Sequence, residues 1–428
     1  MTDWLDKLAA VGFGLFGLLS LLALVWLISG RQRVVPVRMI GLGVLLQISF
    51  ALIVLRTGWG RALFDGLGNV FVVLISFTQA GTSFIFGEMV DVEKYGYIVA
   101  IQVLPTIIFF ASLMAVLYHL GLMQRIVQGM AWVMTRTMKV SGAESLAVAA
   151  NVFVGQTEAP LVVRPYISRM TESELFTMMV GGMATIAGGV LAAYVGLLGG
   201  SDPAQQVYYA KHLLSASIMA APATIVVAKM MIPEFEESLT KGVVKIKVEH
   251  ETHNVIEAAA NGAAEGVKLA INVGAMLLAF LALIAMVNYP LEWLGANTGI
   301  NDMLGQPLSL ALVVGYIFAP LAWIIGVPSS DIITVGGLIG QKIVANEFVA
   351  YAQLNQVKDT LSDHGVLIST YALCGFANFS SIAIQIGGIG GLAPSRRSDI
   401  ARLGIKAVIG GTVVTMMTAT IAGVITAF

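Results

Sequence analysis

The chain has 428 residues and a formal net charge of -1, with 57% hydrophobic and only 11% charged residues. This composition predicts an all-α polytopic membrane protein, and the near-neutral charge argues against a nucleic-acid binder, which needs a surplus of Lys and Arg on one face. The one cysteine, Cys374, excludes an intramolecular disulfide and a cysteine-rich metal site.

The apolar runs are long enough to predict membrane spans. The first run follows Asp3 and Asp6 without a basic leader, so we expect a retained helix rather than a cleaved signal. Residues 58–96 carry several charges, and we expect an amphipathic interfacial helix and a loop there. Eight runs of roughly 20 apolar residues lie near 9–29, 37–55, 98–119, 174–198, 210–232, 266–287, 366–391 and 404–427.

The distribution of basic residues predicts the topology, because cytoplasmic loops carry an excess of Lys and Arg. The loops at 199–209 and 288–304 contain neither. If the apolar segment 305–326 crossed the membrane, Arg396 and Arg397 would fall outside, so we expect that segment at the interface and both termini in the periplasm. The residues that indicate the cytoplasmic side are Arg31, Arg33, Arg38, Arg125, Arg136, Lys139, Arg164, Arg169, Lys241, Lys245 and Lys247.

Two parts of the chain repeat the same order of motifs. Residues 121–144 and 310–331 share a Trp, a small-residue break and an acidic residue, and each leads to a Gly-Gln pair. Further on, residues 182–188 correspond to residues 375–381, and each stretch lies inside a predicted span that begins after a polar, cap-like segment. The charge bias gives the two units opposite orientations, as in secondary transporters built from inverted repeats. We expect two oppositely oriented re-entrant hairpins, each followed by a broken helix and an intact one.

The repeat divides the chain into four parts. Residues 1–97 hold two spans and the interfacial helix, 98–232 form the first repeat, and 266–428 form the second, inverted repeat. Between the repeats, 233–265 is a charged linker that we predict to be a solvated helix. We interpret Lys229, Glu265, Lys268 and Asn272, near the ends of spans, as snorkelling or capping groups.

The stretch 151–160, NVFVGQTEAP, places polar side chains in an otherwise apolar region. A hairpin that crosses only half the bilayer leaves backbone groups unpaired at its tip, and such groups are tolerated where they are buried in protein or line a cavity. Carbonyl groups near 151–155 and the Asn151 side chain offer hard oxygen ligands for a small cation. Thr185, in the paired helix interruption, can add a hydroxyl.

The same tip carries groups suited to the edge of a polar heterocycle. Gln156 and Thr157 can donate and accept hydrogen bonds, and Glu158 accepts when ionised. Phe376, next to the second helix break, is our candidate for a wall that stacks on a base. The alternative is that a polar group such as Gln156 only joins helices by hydrogen bonds.

The second half offers groups suited to vicinal hydroxyls. Glu347, Asn378 and Ser381 present hydrogen-bond acceptors and donors, and the last two share a helix face. For Ser381 alone, helix packing explains the residue equally well. Glu347 and Glu158 are intramembrane carboxylates at matching positions of two repeats, and such residues are usually functional.

Four motifs, in order, resemble those of the concentrative nucleoside transporters. They are GQTEAP at 155–160, GMATIAG at 182–188, NEFVAY at 346–351 and CGFANFSS at 374–381, and the match spans about residues 36–428. The resemblance implies a bacterial-type member with eight spans, forming a homotrimer around the third and sixth. It also implies three groups of ligands: Gln156, Thr157 and Glu158 for the nucleobase; Glu347, Asn378 and Ser381 for the ribose; and Asn151, the carbonyls of Val154 and Ile186, and the Thr185 hydroxyl for sodium.

These observations favour a symporter that imports nucleosides across a bacterial inner membrane, driven by sodium. The chain lacks the His-Glu-x-x-His, Gly-x-Ser-x-Gly and phosphate-loop signatures, so we expect neither an enzyme nor ATP-driven transport, and no cofactor besides the coupling ion. Two alternatives stay open. One is a proton-coupled nucleoside symporter, and the other is a symporter of another small polar solute such as a nucleobase.

Overall fold

The computed structural model describes residues 2–29, 36–242 and 252–427. Arg31, Arg33, Lys245 and Lys247, which contributed to the charge bias, lie outside the described residues. Within the described ranges the fold is all helical, without a β-strand. The helices are α1 (Thr2–Ile28), α2 (Val37–Arg56), α3 (Gly58–Phe86), α4 (Val92–Tyr95), α5 (Val99–Gln102), α6 (Leu104–His119), α7 (Leu122–Met138), α8 (Gly142–Asn151), α9 (Arg164–Ile167), α10 (Glu172–Ala184), α11 (Gly188–Gly199), α12 (Pro203–Met231), α13 (Val255–Thr298), α14 (Ile300–Leu304), α15 (Leu310–Ile324), α16 (Ile332–Val344), α17 (Glu347–Val357), α18 (Asp363–Leu373), α19 (Phe379–Leu392) and α20 (Arg397–Thr426).

Eight helical stretches of the described chain are long and apolar enough to cross a membrane, judged by length and composition. Gly58–Tyr95, where we expected an interfacial helix, belongs to this set, because α3 runs unbroken for 29 residues. The expected span at 366–391 does not, because a break divides it into α18 and α19. The segment 305–326 forms a helix of 15 residues, α15, which is shorter than the roughly 20 residues that a span needs.

The long helices fall into a buried group and a peripheral group. The most apolar windows of Glu172–Gly199, Pro203–Met231 and Pro394–Thr426 are 89% buried inside the chain. By contrast, the window of Val255–Thr298 is only 11% buried, although α13 packs along α6 and accepts a hydrogen bond at the Ala259 carbonyl. The peripheral helices therefore present apolar surface outward from a protein-filled centre.

The two helix breaks predicted from the sequence are confirmed. The first separates α10 from α11, where Thr185 has extended backbone (φ -127°, ψ 171°). The second separates α18 from α19 at residues 374–378. The breaks cross at close range, because a Cβ on Gly375 would lie 2.9 Å from the Met183 carbonyl oxygen. Only glycine fits there without a backbone shift, and the crossing brings the two halves of the chain together.

The cap-like segments ahead of the broken helices act as predicted. Thr171 and Glu174 form a reciprocal capping box that begins α10, and the Ser362 hydroxyl accepts from Gly365 N at the start of α18. A second capping box, of Ser141 and Glu144, begins α8. These caps satisfy backbone N–H groups that would otherwise be unpaired inside an apolar region.

The predicted linker helix is wrong for residues 233–242, which form a loop, and α13 begins only at Val255. The loop packs against the start of α8, since Gly142 N donates to the Thr240 carbonyl at 2.9 Å. Glu265 and Lys268 lie beyond it on α13 and form an exposed ion pair.

The prediction that Lys229 snorkels or caps a helix end is also wrong. Its ammonium is 2.8 Å from Glu144 and 3.2 Å from Glu234, and it donates to the Ser173 hydroxyl at 3.0 Å. The lysine side chain is 4% exposed and that of Glu144 is 2% exposed. The starts of α8 and α10 and the end of α12 meet at this place, and the buried carboxylate of Glu144 needs a cation beside it there.

Candidate functional site

The polar segment 151–160, where we predicted the tip of the first hairpin, starts where α8 ends at Asn151. The Asn151 side chain is buried and its Nδ2 donates to the Ala147 carbonyl at 3.1 Å. Its Oδ1 is buried without a hydrogen-bond partner among the described residues. Gly188 N at the start of α11 donates to the Phe153 carbonyl at 2.9 Å, which ties the tip to the first helix break. Leaving a buried amide oxygen unpaired costs free energy, so a ligand bound to this atom would be stabilising.

Two of the residues predicted to bind a cation, Asn151 and Thr185, lie close to Gly181. The Thr185 hydroxyl donates to the Gly181 carbonyl at 2.9 Å, and a Cβ on Gly181 would lie 3.5 Å from Asn151 Nδ2. Ile186 is fully buried in the break and Val154 is half-buried in the tip. The structure therefore brings two of the predicted cation ligands, Asn151 and Thr185, close to the same glycine.

Gln156 joins the two halves of the chain. The side chain is buried, and its Nε2 donates to the Ser381 hydroxyl at 3.0 Å, across 225 positions of sequence. Gln385, one turn further along α19, donates through Nε2 to Gln156 Oε1 at 3.1 Å and to the Met179 carbonyl at 2.9 Å. One base-directed residue and one ribose-directed residue of our prediction thus lie in direct contact.

Glu347, the first residue of α17, is a buried carboxylate with two neutral donors. Its Oε1 accepts from the Tyr194 hydroxyl at 2.9 Å, and its Oε2 accepts from Asn378 Nδ2 at 2.9 Å. Both partners are buried, so these bonds replace the water that an exposed carboxylate would keep. Hydrogen bonds to an ionised group are stronger than those between neutral groups, and they hold the carboxylate in one orientation.

Asn378 has its orientation set by the helix that it caps. Its Oδ1 accepts from Ser381 N at 2.9 Å and from the Ser380 hydroxyl at 2.7 Å at the start of α19. With the oxygen engaged as an N-cap, the amide nitrogen must point the other way, toward Glu347. Asn378 therefore links the other two residues of the predicted ribose set by hydrogen bonds, to the Glu347 carboxylate on one side and to Ser381 N on the other.

Thr157, Glu158 and Phe376 lie at the more open side of this arrangement. The Thr157 hydroxyl donates to Glu158 Oε1 at 2.8 Å, and Glu158 is exposed, unlike the buried Glu347. The Thr157 methyl group approaches α19, since a Cβ on Gly388 would lie 2.7 Å from it. Phe376 is half-buried within the second break.

Sequence reasoning missed two polar partners, Tyr194 and Gln385. Tyr194 stands in an apolar helix with no polar neighbour to mark it. Gln385 carried a signal that could have found it, because it lies four residues after Ser381 and so shares its helix face.

Comparison with known proteins bears on what this arrangement is for. The family model described as "Na+ dependent nucleoside transporter C-terminus" matches residues 212–423, and the model of the N-terminus of the same transporters matches 16–89. A third family model, a gate family described as "Nucleoside recognition", matches residues 100–201. An uncharacterized transporter of Bacillus subtilis, YutK, is 45% identical over 96% of this chain and 98% of its own length. The chain belongs to the concentrative nucleoside transporter family. The family consists of transporters and not of enzymes.

Other similarities cover most of the chain. Sodium/nucleoside cotransporter 1 of Rattus norvegicus is 42% identical over 96% of this chain, which spans 63% of the rat protein. The transporter CNTnw in an inward-facing, substrate-bound state has a TM-score of 0.87 at 42% identity, covering 97% of this chain and 98% of that one. A variant of CNTnw in an outward-facing state has a TM-score of 0.88. The all-helical fold is therefore that of known nucleoside transporters.

Proposed function

We propose that the protein is a secondary active symporter that imports nucleosides across the inner membrane of a bacterium, driven by a sodium gradient. The observation that carries this proposal is the contact between Gln156 and Ser381, with Asn378 and Glu347 beside it, where the two helix breaks cross. A buried cluster that is rich in donors and acceptors matches a small, polar, heterocyclic solute better than an ion alone. Two bacterial transporters that resemble it over nearly their whole length support the location.

The first hairpin supplies the nucleobase side of the site. Gln156 and Thr157 would bind the base edge, Glu158 would accept from it, and Phe376 would stack on its face. The amide and the hydroxyl can each donate and accept, which suits a ring with alternating carbonyl and N–H groups. The exposure of Glu158 supports a contact that passes through water.

The second half supplies the ribose side, through Glu347, Asn378 and Ser381. Two vicinal hydroxyls can donate to a carboxylate and accept from an amide at the same time. The bonds between Glu347 and Asn378, and between Ser381 and Gln156, would then be exchanged for bonds to the sugar. Because the groups already point at one another, substrate binding requires little reorganisation.

Sodium is the second transported substrate, and the residues around Gly181 fit it. Asn151 Oδ1 is a buried oxygen without a partner in the described part of the chain, and Thr185 adds a hydroxyl oxygen. With the carbonyls of Val154 and Ile186 these form a set of hard, neutral oxygen ligands. Binding there would hold the tip in the shape that Gln156 needs, so each substrate would raise the affinity for the other. The sodium-coupled mammalian relatives support this choice of ion.

The transport cycle we propose is alternating access by a mobile unit. That unit comprises two oppositely oriented re-entrant hairpins and the broken helices, and it moves against a scaffold that forms a homotrimer. The repeated order of short helices, break and long helix in 98–232 and 266–428 supports the inverted repeat. The outward apolar faces of α6 and α13, the third and sixth of our eight predicted spans, support a trimer contact there. In this arrangement both termini are periplasmic, 1–97 holds two spans and an interfacial α3, and 233–265 links the repeats.

Uptake into liposomes tests the function. Purified protein in proteoliposomes should accumulate labelled uridine when sodium is outside, and uptake should fall to background when choline replaces sodium at fixed pH. Uptake that persists in choline and follows a pH gradient would instead establish the proton-coupled alternative. Equal competition by free uracil and by uridine would refute the ribose assignment and favour a nucleobase symporter.

A further inference from the structure

Gln385 lies behind the proposed nucleobase site, where no substrate contact is assigned to it. The side chain is fully buried between α19 and α10, one helical turn beyond Ser381. Its Nε2 donates to the Met179 carbonyl at 2.9 Å and to Gln156 Oε1 at 3.1 Å. Its Oε1 is buried and unpaired within the described ranges. All the hydrogen bonds of this buried side chain are therefore made by its NH₂ group, and one of them goes to a residue of the proposed site.

The Met179 carbonyl sets the orientation of the Gln385 amide. A backbone carbonyl can only accept a hydrogen bond, so the NH₂ group of Gln385 must face it. The same NH₂ group faces Gln156, and two NH₂ groups cannot pair, so Gln156 must present its oxygen there. A single backbone acceptor thus determines which way round two successive side-chain amides lie.

The fixed orientation leaves Gln156 as a donor on its other side. Its Nε2 carries two N–H bonds, and one of them goes to the Ser381 hydroxyl at 3.0 Å. The other makes no hydrogen bond within the described ranges, and the proposed function places the base beside Gln156. Close packing holds the pair together, because a Cβ on Gly182 would lie 2.8 Å from Gln156 Cβ and 3.0 Å from Gln385 Nε2.

We propose that Gln385 is a positioning residue that locks the Gln156 amide as a hydrogen-bond donor, so that the site prefers bases with a carbonyl oxygen over bases with an amino group at that edge. The inference rests on the proposed function, since it takes Gln156 to bind the base. At position 4 of the ring uridine carries a carbonyl oxygen and cytidine an amino group, and N3 changes with it from a donor to an acceptor. With the Gln156 donor facing position 4, wild-type protein binds uridine more tightly than cytidine.

The test is the ratio of the cytidine and uridine concentrations that halve labelled uridine uptake into proteoliposomes. In Gln385→Met, which keeps the length of the side chain but has no donor, the Gln156 amide can rotate and accept from an amino group. The cytidine-to-uridine ratio should then fall by roughly fivefold, the factor that one neutral hydrogen bond represents. Because both nucleosides are measured on one preparation, the amount of folded protein cancels from the ratio.

Gln47→Met is the matched control. Gln47 is also fully buried and donates through Nε2 to the Thr418 hydroxyl at 3.0 Å, between α2 and α20 and not at Gln156. This variant loses an equivalent hydrogen bond and should keep the wild-type ratio. Should Gln385→Met fail to fold, Gln385→Asn, whose amide is too short to reach Gln156, is expected to give the same fall.

A wild-type ratio in a folded Gln385 variant overturns the inference, as does an equal fall in Gln47→Met. Either result leaves uridine uptake by the wild-type protein intact, and with it the proposed function. If the wild-type protein takes up no nucleoside at all, the proposed function itself fails, so the two failures are distinguishable.

Discussion

Replacing Asn378 by Ala tests the central link between helix capping and substrate binding. The change removes three hydrogen bonds: the cap that Oδ1 accepts from Ser381 N, the bond that Oδ1 accepts from the Ser380 hydroxyl, and the bond that Nδ2 donates to Glu347. Loss of an N-cap costs about 1 kcal/mol. Loss of a hydrogen bond to a buried carboxylate costs about 1.5–3 kcal/mol, because the charged oxygen is left without a partner. We expect Asn378→Ala to be destabilised by about 2.5–4 kcal/mol in total.

A loss of substrate affinity is expected in addition to the loss of stability. The ribose would lose its amide partner, and a loss of about 2 kcal/mol corresponds to roughly 30-fold in affinity. Sodium-driven uptake of micromolar uridine into proteoliposomes should therefore fall to background. Thermal unfolding of the detergent-solubilised protein, measured by size-exclusion chromatography after heating, gives the stability change on the same preparation.

Asn346→Ala separates the effect of losing a helix cap from the effect of losing a ribose contact. Asn346 is as buried as Asn378 and caps α17 by accepting from Val349 N at 2.9 Å. This variant loses a cap of the same kind, so it should show a smaller loss of stability and retain uptake. If Asn346→Ala abolished uptake to the same extent, or if Asn378→Ala transported uridine normally, the assignment of Asn378 to the ribose would be refuted.

Three further variants test other parts of the site. Glu347→Gln should abolish uridine uptake, since the amide nitrogen it introduces cannot accept a hydrogen bond from the ribose. Normal uptake by correctly inserted protein would refute the assignment of Glu347 to the ribose. Thr185→Ala should raise the sodium concentration for half-maximal uptake several-fold, whereas Thr177→Ala, which removes an equivalent hydroxyl bond to the helix backbone two turns earlier, should not. Gly375→Ala should destabilise the fold by about 1–3 kcal/mol and so lower its thermal unfolding temperature, because its Cβ would meet the backbone of α10. An unchanged unfolding temperature would contradict the close crossing of the breaks.

The local features of the fold could be predicted because each depends on neighbouring residues. Glycine and polar residues interrupt the apolar runs at Thr185 and at 374–378, and helices break there. The capping boxes follow from Ser or Thr with Glu three residues later. The motifs around Gln156 and Asn378 also identified the family, and the comparisons confirm it.

Only the tertiary structure decided which polar groups meet. A polar residue in an apolar run must find a partner, but its neighbours in sequence do not say which one. Gln156 pairs with Ser381 from the other half of the chain, and the second partner of Glu347, Tyr194, comes from a helix that shows no polar signal. Lys229, which we expected to reach outward, is held inside by Glu144 for the same reason. Such pairings depend on how helices pack over long distances in sequence, so periodicity and composition determine the elements and their breaks, and packing determines the site.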